Sequence, residues 1–270
     1  MRLLFLGDIV GRAGRDALVA ALPDLRARLA LAVVIVHGEN AAHGFGITEA
    51  ICAELYAAGV DCITGGNHSW DKREALTFID RDTRLLRPLN YPEGTPGRGA
   101  MLVDTPAGRL LVINVLGRLF MDPLDDPFAA VERAIANHGL GRSVAGILVD
   151  MHAEATSEKM AMGQAFDGRV SLVVGTHSHV PTADAQILPG GTAYQTDAGM
   201  CGDYDSVIGM KKQAPIARFV RKVPGERLEP AEGPATLCGV FCELDRTTGL
   251  ARRVAPLRTG GRLAPAWPLE

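Results

Sequence analysis

Eight polar side chains in this sequence follow directly on short apolar runs. They are Asp8 after LFLG, Glu39 and Asn40 in VIVHGEN, Asn67 and His68 in CITGGNHSWD, His152 in GILVDMHAE, and His177 and His179 in LVVGTHSH. Carboxylates, imidazoles and amide oxygens are ligands of divalent transition metals. The absence of a thiolate from the set disfavours a structural zinc site. Glu39 offers two oxygens and can bridge two ions. His177 and His179 lie two apart, and on an extended segment both would project to one side, so that each of two ions could take one. Paired metals about 3.5–4 Å apart polarise a phosphoryl group and generate hydroxide at neutral pH. Taken singly, the residues have plainer uses. Asp8 and Asn40 could cap helices, Asn67 could sit in a turn, and His152 could be a hydrogen-bonded core histidine. Five strand ends that all finish this way argue for a shared site, because sites in open α/β sheets form beyond the carboxyl ends of strands. His37, two residues before Glu39, could face the site or the core.

The elements that must position these residues alternate. LLFLGD (3–8) reads as a strand and residues 15–29 as a helix, followed by a strand over 32–40. A helix over 47–59 has Thr48 as its cap and Gly59 as its stop, and a third strand covers 60–67. Further apolar runs at 109–117, 144–153 and 171–179 flank a helical pattern at 126–139, and β-like pieces follow at 193–196, 215–223 and 237–244. This alternation predicts an α/β fold with a largely parallel sheet, and the strand-rich tail predicts a second sheet. PGERLEPAEGP (224–234) reads as a solvated loop, and Asp71 as a cap for the segment after it. The glycine-rich stretches at 43–46 and 189–192, with Arg12, Tyr204 and Asp205, are further candidates to shape or face a pocket.

Composition narrows the function. The 270 residues, 47% hydrophobic, can build a large core, read here as a single domain over 1–270. A net charge of −3 supplies no basic field for gripping duplex nucleic acid. The apolar run at 29–36 is far short of the roughly 20 residues of a spanning helix, and MRLLFLGD lacks a signal peptide's length and cleavage site. Five cysteines with no CxxC pair read as reduced, buried thiols of a cytoplasmic protein. GDIVGRAGR has the wrong spacing for a dinucleotide loop, and Asp8 would set a negative charge beside a pyrophosphate.

The blocks GDIV, GENAA, GGNHSWD, MHAE and GTHSH, in this order over residues 7–179, resemble those of the calcineurin-like metallophosphoesterases. Val10 stands where that family's first block has histidine, and Glu39–Asn40 where aspartate is usual. Both departures, together with the closing TDAGMCGDYDSVIGM (196–210), resemble one branch, the YmdB-like phosphodiesterases of bacteria. The resemblance implies a four-layer α/β/β/α sandwich and a dinuclear centre, with iron the leading expectation and manganese or zinc the alternatives. It also implies hydrolysis of 2′,3′- and 3′,5′-cyclic nucleotides by a metal-bound hydroxide. Carried over by position, Asp8, Glu39, Asn40 and His179 would hold the first ion and Glu39, Asn67, His152 and His177 the second, with Glu39 bridging. His68 would face substrate and protonate the departing alkoxide. A small-molecule phosphodiester is then the expected partner, without duplex nucleic acid or membrane, and a symmetric homo-oligomer is the default assembly. A phosphate-sensing regulator, or another metallohydrolase such as a phosphomonoesterase or nuclease, would use the same residues.

Overall fold

Both faces of the first strand are buried, and this decides the architecture. The computed structural model describes residues 1–222 and 225–269. In it β1 (Arg2–Leu6) sends Leu4 and Leu6 into one hydrophobic cluster and Leu3 and Phe5 into another. The chain continues through β2 (Asp8–Ile9), α1 (Gly11–Arg28), β3 (Val33–His37), α2 (Glu49–Ala57), β4 (Cys62–Thr64) and α3 (Ala75–Phe78). Then come β5 (Ala100–Thr105), β6 (Gly108–Leu116), α4 (Pro127–Ile135), β7 (Gly146–His152), α5 (Thr156–Ala165) and β8 (Leu172–Thr176). The remainder is β9 (Gln186–Ile187), β10 (Ala193–Gln195), β11 (Met200–Asp203), α6 (Gln213–Arg221), β12 (Ala235–Leu244) and β13 (Ala251–Gly260).

The strands form two sheets. The first has the order β2-β11-β12-β1-β3-β4, with β13 alongside β12, and the second has the order β5-β6-β7-β8-β10-β9. Within the first, β1, β3 and β4 are parallel; within the second, β6, β7, β8 and β10 are. Leu3, Phe5, Val33 and Ile35 meet Leu110, Val112, Leu148, Leu172 and Val174 between the sheets. The opposite face of the first sheet packs Leu4, Leu6, Val34 and Val36 against Leu18, Leu22 and Leu25 of α1 and Ile51 and Leu55 of α2. The opposite face of the second packs Ile113, Val149 and Val173 against Val131 of α4 and Met162 of α5. Period-two alternation in strands covered on both faces thus produces the four layers α/β/β/α.

Local chemistry sets the helix ends. Thr48 accepts from the Ile51 amide at 3.3 Å, and Asp126 accepts from the Phe128 and Ala129 amides at 2.8 and 3.3 Å, with Pro127 in the first turn. Gly14 of α1 is required by proximity, since a Cβ there would collide with the Cys201 carbonyl of β11. All five cysteines are buried and free, and no helix among the described residues is long and apolar enough to cross a membrane.

Two expectations are corrected. The tail strands β12 and β13 do not found the second sheet: β12 pairs antiparallel with β1 in the first. The second sheet comes mainly from the middle of the chain, including β5, which the sequence pattern did not suggest, and of the expected tail pieces it takes the one at 193–196, as β10. The strand expected at 215–223 is mostly helix α6, and Val223, with Pro224 of the loop expected over 224–234, lies outside the described residues. Ile216, Phe219 and Val220 look strand-like by composition, but their spacing of three and four puts them on one helical face.

Leu148 lies fully buried between the sheets. Leu148→Ala is expected to cost about 2–5 kcal/mol, read as a lower urea midpoint at unchanged slope. A loss below about 1 kcal/mol would mean that the sheets are not closely packed there.

Candidate metal centre

The carboxyl ends of β1, β3 and β4 of one sheet and of β7 and β8 of the other converge on one seam. Glycine makes the convergence possible at Gly66, where a Cβ would lie 2.5 Å from His152 Nε2 and closer still to Glu39 Oε2. All eight residues singled out in the sequence meet at this seam. Glu39 Oε1 is 3.1 Å from His152 Nε2, and its Oε2 accepts the His68 amide at 3.0 Å. His152 Nε2 is also 2.9 Å from Asn67 Oδ1 and 3.1 Å from His177 Nδ1. Beside this group, His179 Nε2 lies 3.0 Å from Asn40 Nδ2 and 3.6 Å from Asp8 Oδ1. The two groups are joined by the His177 amide, which donates to Asp8 Oδ2 at 3.3 Å, and by Asn40 Nδ2, which donates to Glu39 Oε1 at 3.4 Å. The His68 ring stands apart. Its Nδ1 is 2.9 Å from Asp71 Oδ2, and it packs against Phe45 with ring centroids 5.1 Å apart. Asp71 therefore holds His68 rather than capping a helix.

His37, which could have faced either way, turns its Nε2 into the cluster. Donor atoms of Asp8, His37, Glu39 and His152 all lie within 4.8 Å of one another. His37 Nε2 and Asp8 Oδ1 are buried without hydrogen-bond partners and face each other across 3.6 Å. Buried polar groups are almost always satisfied. Two orphaned atoms, set among carboxylate, imidazole and amide donors and without a thiolate, fit a bound cation.

Electrostatics agrees with that fit. Burial alone would push Asp8 up, but His37 and His179 outweigh it and hold the carboxyl well below its usual range. Burial likewise opposes ionisation of Glu39, yet His152 and His37 bring it down to about 2. The His37 imidazolium, disfavoured by burial, is raised to about 9 by Asp150 and Asp8. His179 is raised against its burial by Asp8. His177 is lowered to about 3 by burial and by His152. The raised His37 and His179 thus offset the carboxylates of the seam, and a cation bound there would take over that role.

Behind the cluster stands a fully buried carboxylate, Asp150. Its Oδ2 is 2.8 Å from His37 Nδ1 and accepts Asn114 Nδ2 at 3.3 Å, while its Oδ1 accepts Thr176 Oγ1 at 2.8 Å. Thr176 Oγ1 is in turn 3.0 Å from His152 Nδ1, and Asn114 Oδ1 accepts the Gly65 amide at 3.3 Å. The His37 and His152 rings stack with centroids 4.7 Å apart. One carboxylate thereby orients two imidazoles and the GGN loop, an arrangement common behind metal-ligating histidines. Sequence reasoning passed over Asp150, although a charged residue inside the apolar strand ILVDM was its signal. It also passed over Glu154, whose Oε2 is 3.2 Å from His177 Nε2.

The extended His177–His179 segment is not what forms. Both residues have left-handed backbones, with φ of 97° and 65°. The rings diverge, His177 toward His152 and Glu154, His179 toward Asp8 and Asn40. Of the further candidates, residues 43–46 contribute Gly44 and Phe45 to a cleft of about 280 Å³ that is also lined by Glu39, Asn40, His68, His177 and His179. Residues 189–192 pack on Asp167 and precede β10, whose Ala193 pairs with Leu172 at the opposite end of β8. Tyr204 braces the site from behind by donating to the His179 carbonyl at 3.1 Å. Asp205 pairs with Lys212 and Arg262, and Arg12 is exposed on α1.

Comparison with known proteins matches this geometry. A 2′,3′-cyclic-nucleotide 2′-phosphodiesterase of Bacillus subtilis (strain 168) is 49% identical over 254 residues, covering 94% of this chain and 95% of that protein. The crystal structure of a hypothetical protein from Thermus thermophilus superposes with a TM-score of 0.90 at 42% identity, covering 97% of this chain and all of the other. That of a novel phosphatase from Mycoplasma pneumoniae also gives 0.90, at 36% identity, covering 96% of this chain and 93% of the other. The α/β/β/α sandwich is of the metallophosphoesterase type. The family described as YmdB-like protein matches residues 4–257, and with the donor-lined seam between its two sheets the chain belongs to that family.

Proposed function

We propose that the chain is a phosphodiesterase that hydrolyses 2′,3′- and 3′,5′-cyclic nucleotides at a dinuclear metal centre, with residues 1–270 acting as a single domain. The observation that carries this reading is the pair of donor groups around Glu39, with unsatisfied buried atoms at Asp8 and His37, opening into a cleft. The name of the Bacillus subtilis relative supports the 2′,3′-cyclic substrate. Asp8, Glu39, Asn40 and His179 would hold one cation, and Glu39, Asn67, His152 and His177 the other. The donor set is rich in oxygen and free of sulfur, which suits iron, with manganese or zinc as alternatives. Bound there, the pair would polarise the phosphoryl group and make water nucleophilic at neutral pH.

The chain's own side chains do the rest. His68 lines the cleft without belonging to the donor cluster, and Asp71 fixes its Nδ1. That contact orients the ring, so that Nε2 can give a proton to the departing alkoxide. Phe45, Ile208, Met210 and Leu228 make an apolar wall facing the donors. Such a wall suits a nucleobase while the phosphodiester lies on the polar side.

His68→Ala is expected to retain metal and lose turnover by about 10²-fold or more on a cyclic nucleotide. The loss should shrink on a p-nitrophenyl phosphodiester, whose leaving group needs no proton; an equal loss on both substrates would count against His68 as the acid. Glu39→Gln and Asp8→Asn are expected to lose bound metal by elemental analysis, and unchanged stoichiometry would contradict their assignment as ligands. Dialysis against a chelator should abolish hydrolysis and lower Tm, with both restored by adding metal back. Full activity after verified metal removal would overturn the reading.

A further inference from the structure

The turn that presents His177 and His179 is strained, and something must hold it. Two left-handed positions at non-glycine residues, one on either side of Ser178, persist only where the surroundings over-determine them. The restraint comes from Asp197, in the 196–210 block. Its Oδ2 accepts the Ser178 amide at 3.0 Å, between the two histidines, and its Oδ1 accepts the Gly199 amide at 2.8 Å. The Gly199 carbonyl accepts the Asp8 amide at 3.1 Å. One carboxylate therefore ties the double-histidine turn to the backbone of Asp8.

Asp197 is fully buried, and its countercharge is a buried lysine from α5. Lys159 Nζ donates to Asp197 Oδ2 at 2.7 Å, with side-chain exposures of 1% and 0%. The fold makes room for it, since a Cβ at Gly175 of β8 would lie 2.6 Å from Lys159 Cδ. Stability is a poor reason to keep such a pair. Desolvating both charges can exceed their attraction, and an apolar pair would pack α5 against β8 as well. An apolar residue at 197, however, could not accept the Ser178 and Gly199 amides.

We propose that Lys159 and Asp197 are positioning residues of the metal centre: the lysine-neutralised carboxylate clamps the His177–Ser178–His179 turn against Asp8, so that the two imidazoles are held in their diverging orientations. The inference rests on the reading of His177, His179 and Asp8 as metal ligands. It also assigns a purpose to the otherwise costly charge on α5.

The test compares manganese(II) binding by the full-length protein, its Lys159→Met variant and a Lys159→Met, Asp197→Leu double variant. Binding is read as metal stoichiometry and as the rise in Tm on titration with manganese. The double variant removes both buried charges together and is expected to fold, with a metal-free Tm lowered by the Ser178 and Gly199 amides left without their acceptor. Both variants are expected to bind manganese about 10–100-fold more weakly, the scale found when groups supporting metal ligands are removed. If the single variant fails to fold, the double variant decides. A folded variant that binds manganese with unaltered stoichiometry and affinity would show that the pair is only packing and would sink this inference alone. Failure of the unaltered protein to bind manganese, iron or zinc would overturn the metal-centre reading and this inference with it.

Discussion

Everything at the seam follows from one constraint: two carboxylates, Asp8 and Glu39, are buried with almost no access to water. An isolated buried anion is prohibitively costly, so positive charge must come with it. The chain supplies the His37 and His179 imidazoles, both raised by neighbouring carboxylates, and Asp150 from behind to keep His37 and His152 in place. The balance is incomplete, because Asp8 Oδ1 and His37 Nε2 find no hydrogen-bond partner. A pocket that folds with that deficit suits a cation.

The two-sheet architecture is what makes such a pocket possible. A single parallel sheet offers a crevice open to solvent along its carboxyl edge. Here a second sheet closes over the first, so that residues from β3 and β7 stack ring on ring across the interface. The apolar residues between the sheets then act as the low-dielectric wall that makes each charge–charge contact strong. Packing and electrostatics are one design: the alternation that sends Leu3 and Phe5 inward also runs β1 straight into Asp8.

The legible part of this was local. A buried strand announces itself by β-branched and aliphatic runs, and its end by the polar residues that close it, so Asp8, Glu39, Asn67, His152 and His177 could be placed before their contacts were known. Thr48 was legible for the same reason, its partner lying three residues away. Strand pairing was not: nothing in GVFCEL says that Cys242 lies opposite Leu3 at the far end of the chain. His37 sits in a strand whose two faces are both buried, so its direction depends on Asp150, 113 residues distant. The left-handed backbone at His177 and His179 was invisible because neither is glycine. The salt bridge from Lys159 to Asp197 joins a helix that the apolar pattern did not reveal to a block whose role spacing alone could not give.

The difference between His68 and the other histidines is the final step in the logic. His152 has no exposed side-chain surface and His179 keeps only 6%, while His177, at 24%, is set apart from His68 by its contact with His152 rather than by burial. His68 keeps 28% and has Asp71, itself 43% exposed, as its partner. A ligand needs no exchange with solvent once its cation is bound, and burial strengthens its hold. A proton donor has the opposite requirement, since it must be reprotonated after every turnover and therefore must remain within reach of water. Asn67 and His68 are adjacent in sequence, yet the first points into the cluster and the second toward the opening. On the proposed reading, the GGNH turn sets one residue on each side of the boundary between a site that would stay dry and a proton that would come and go.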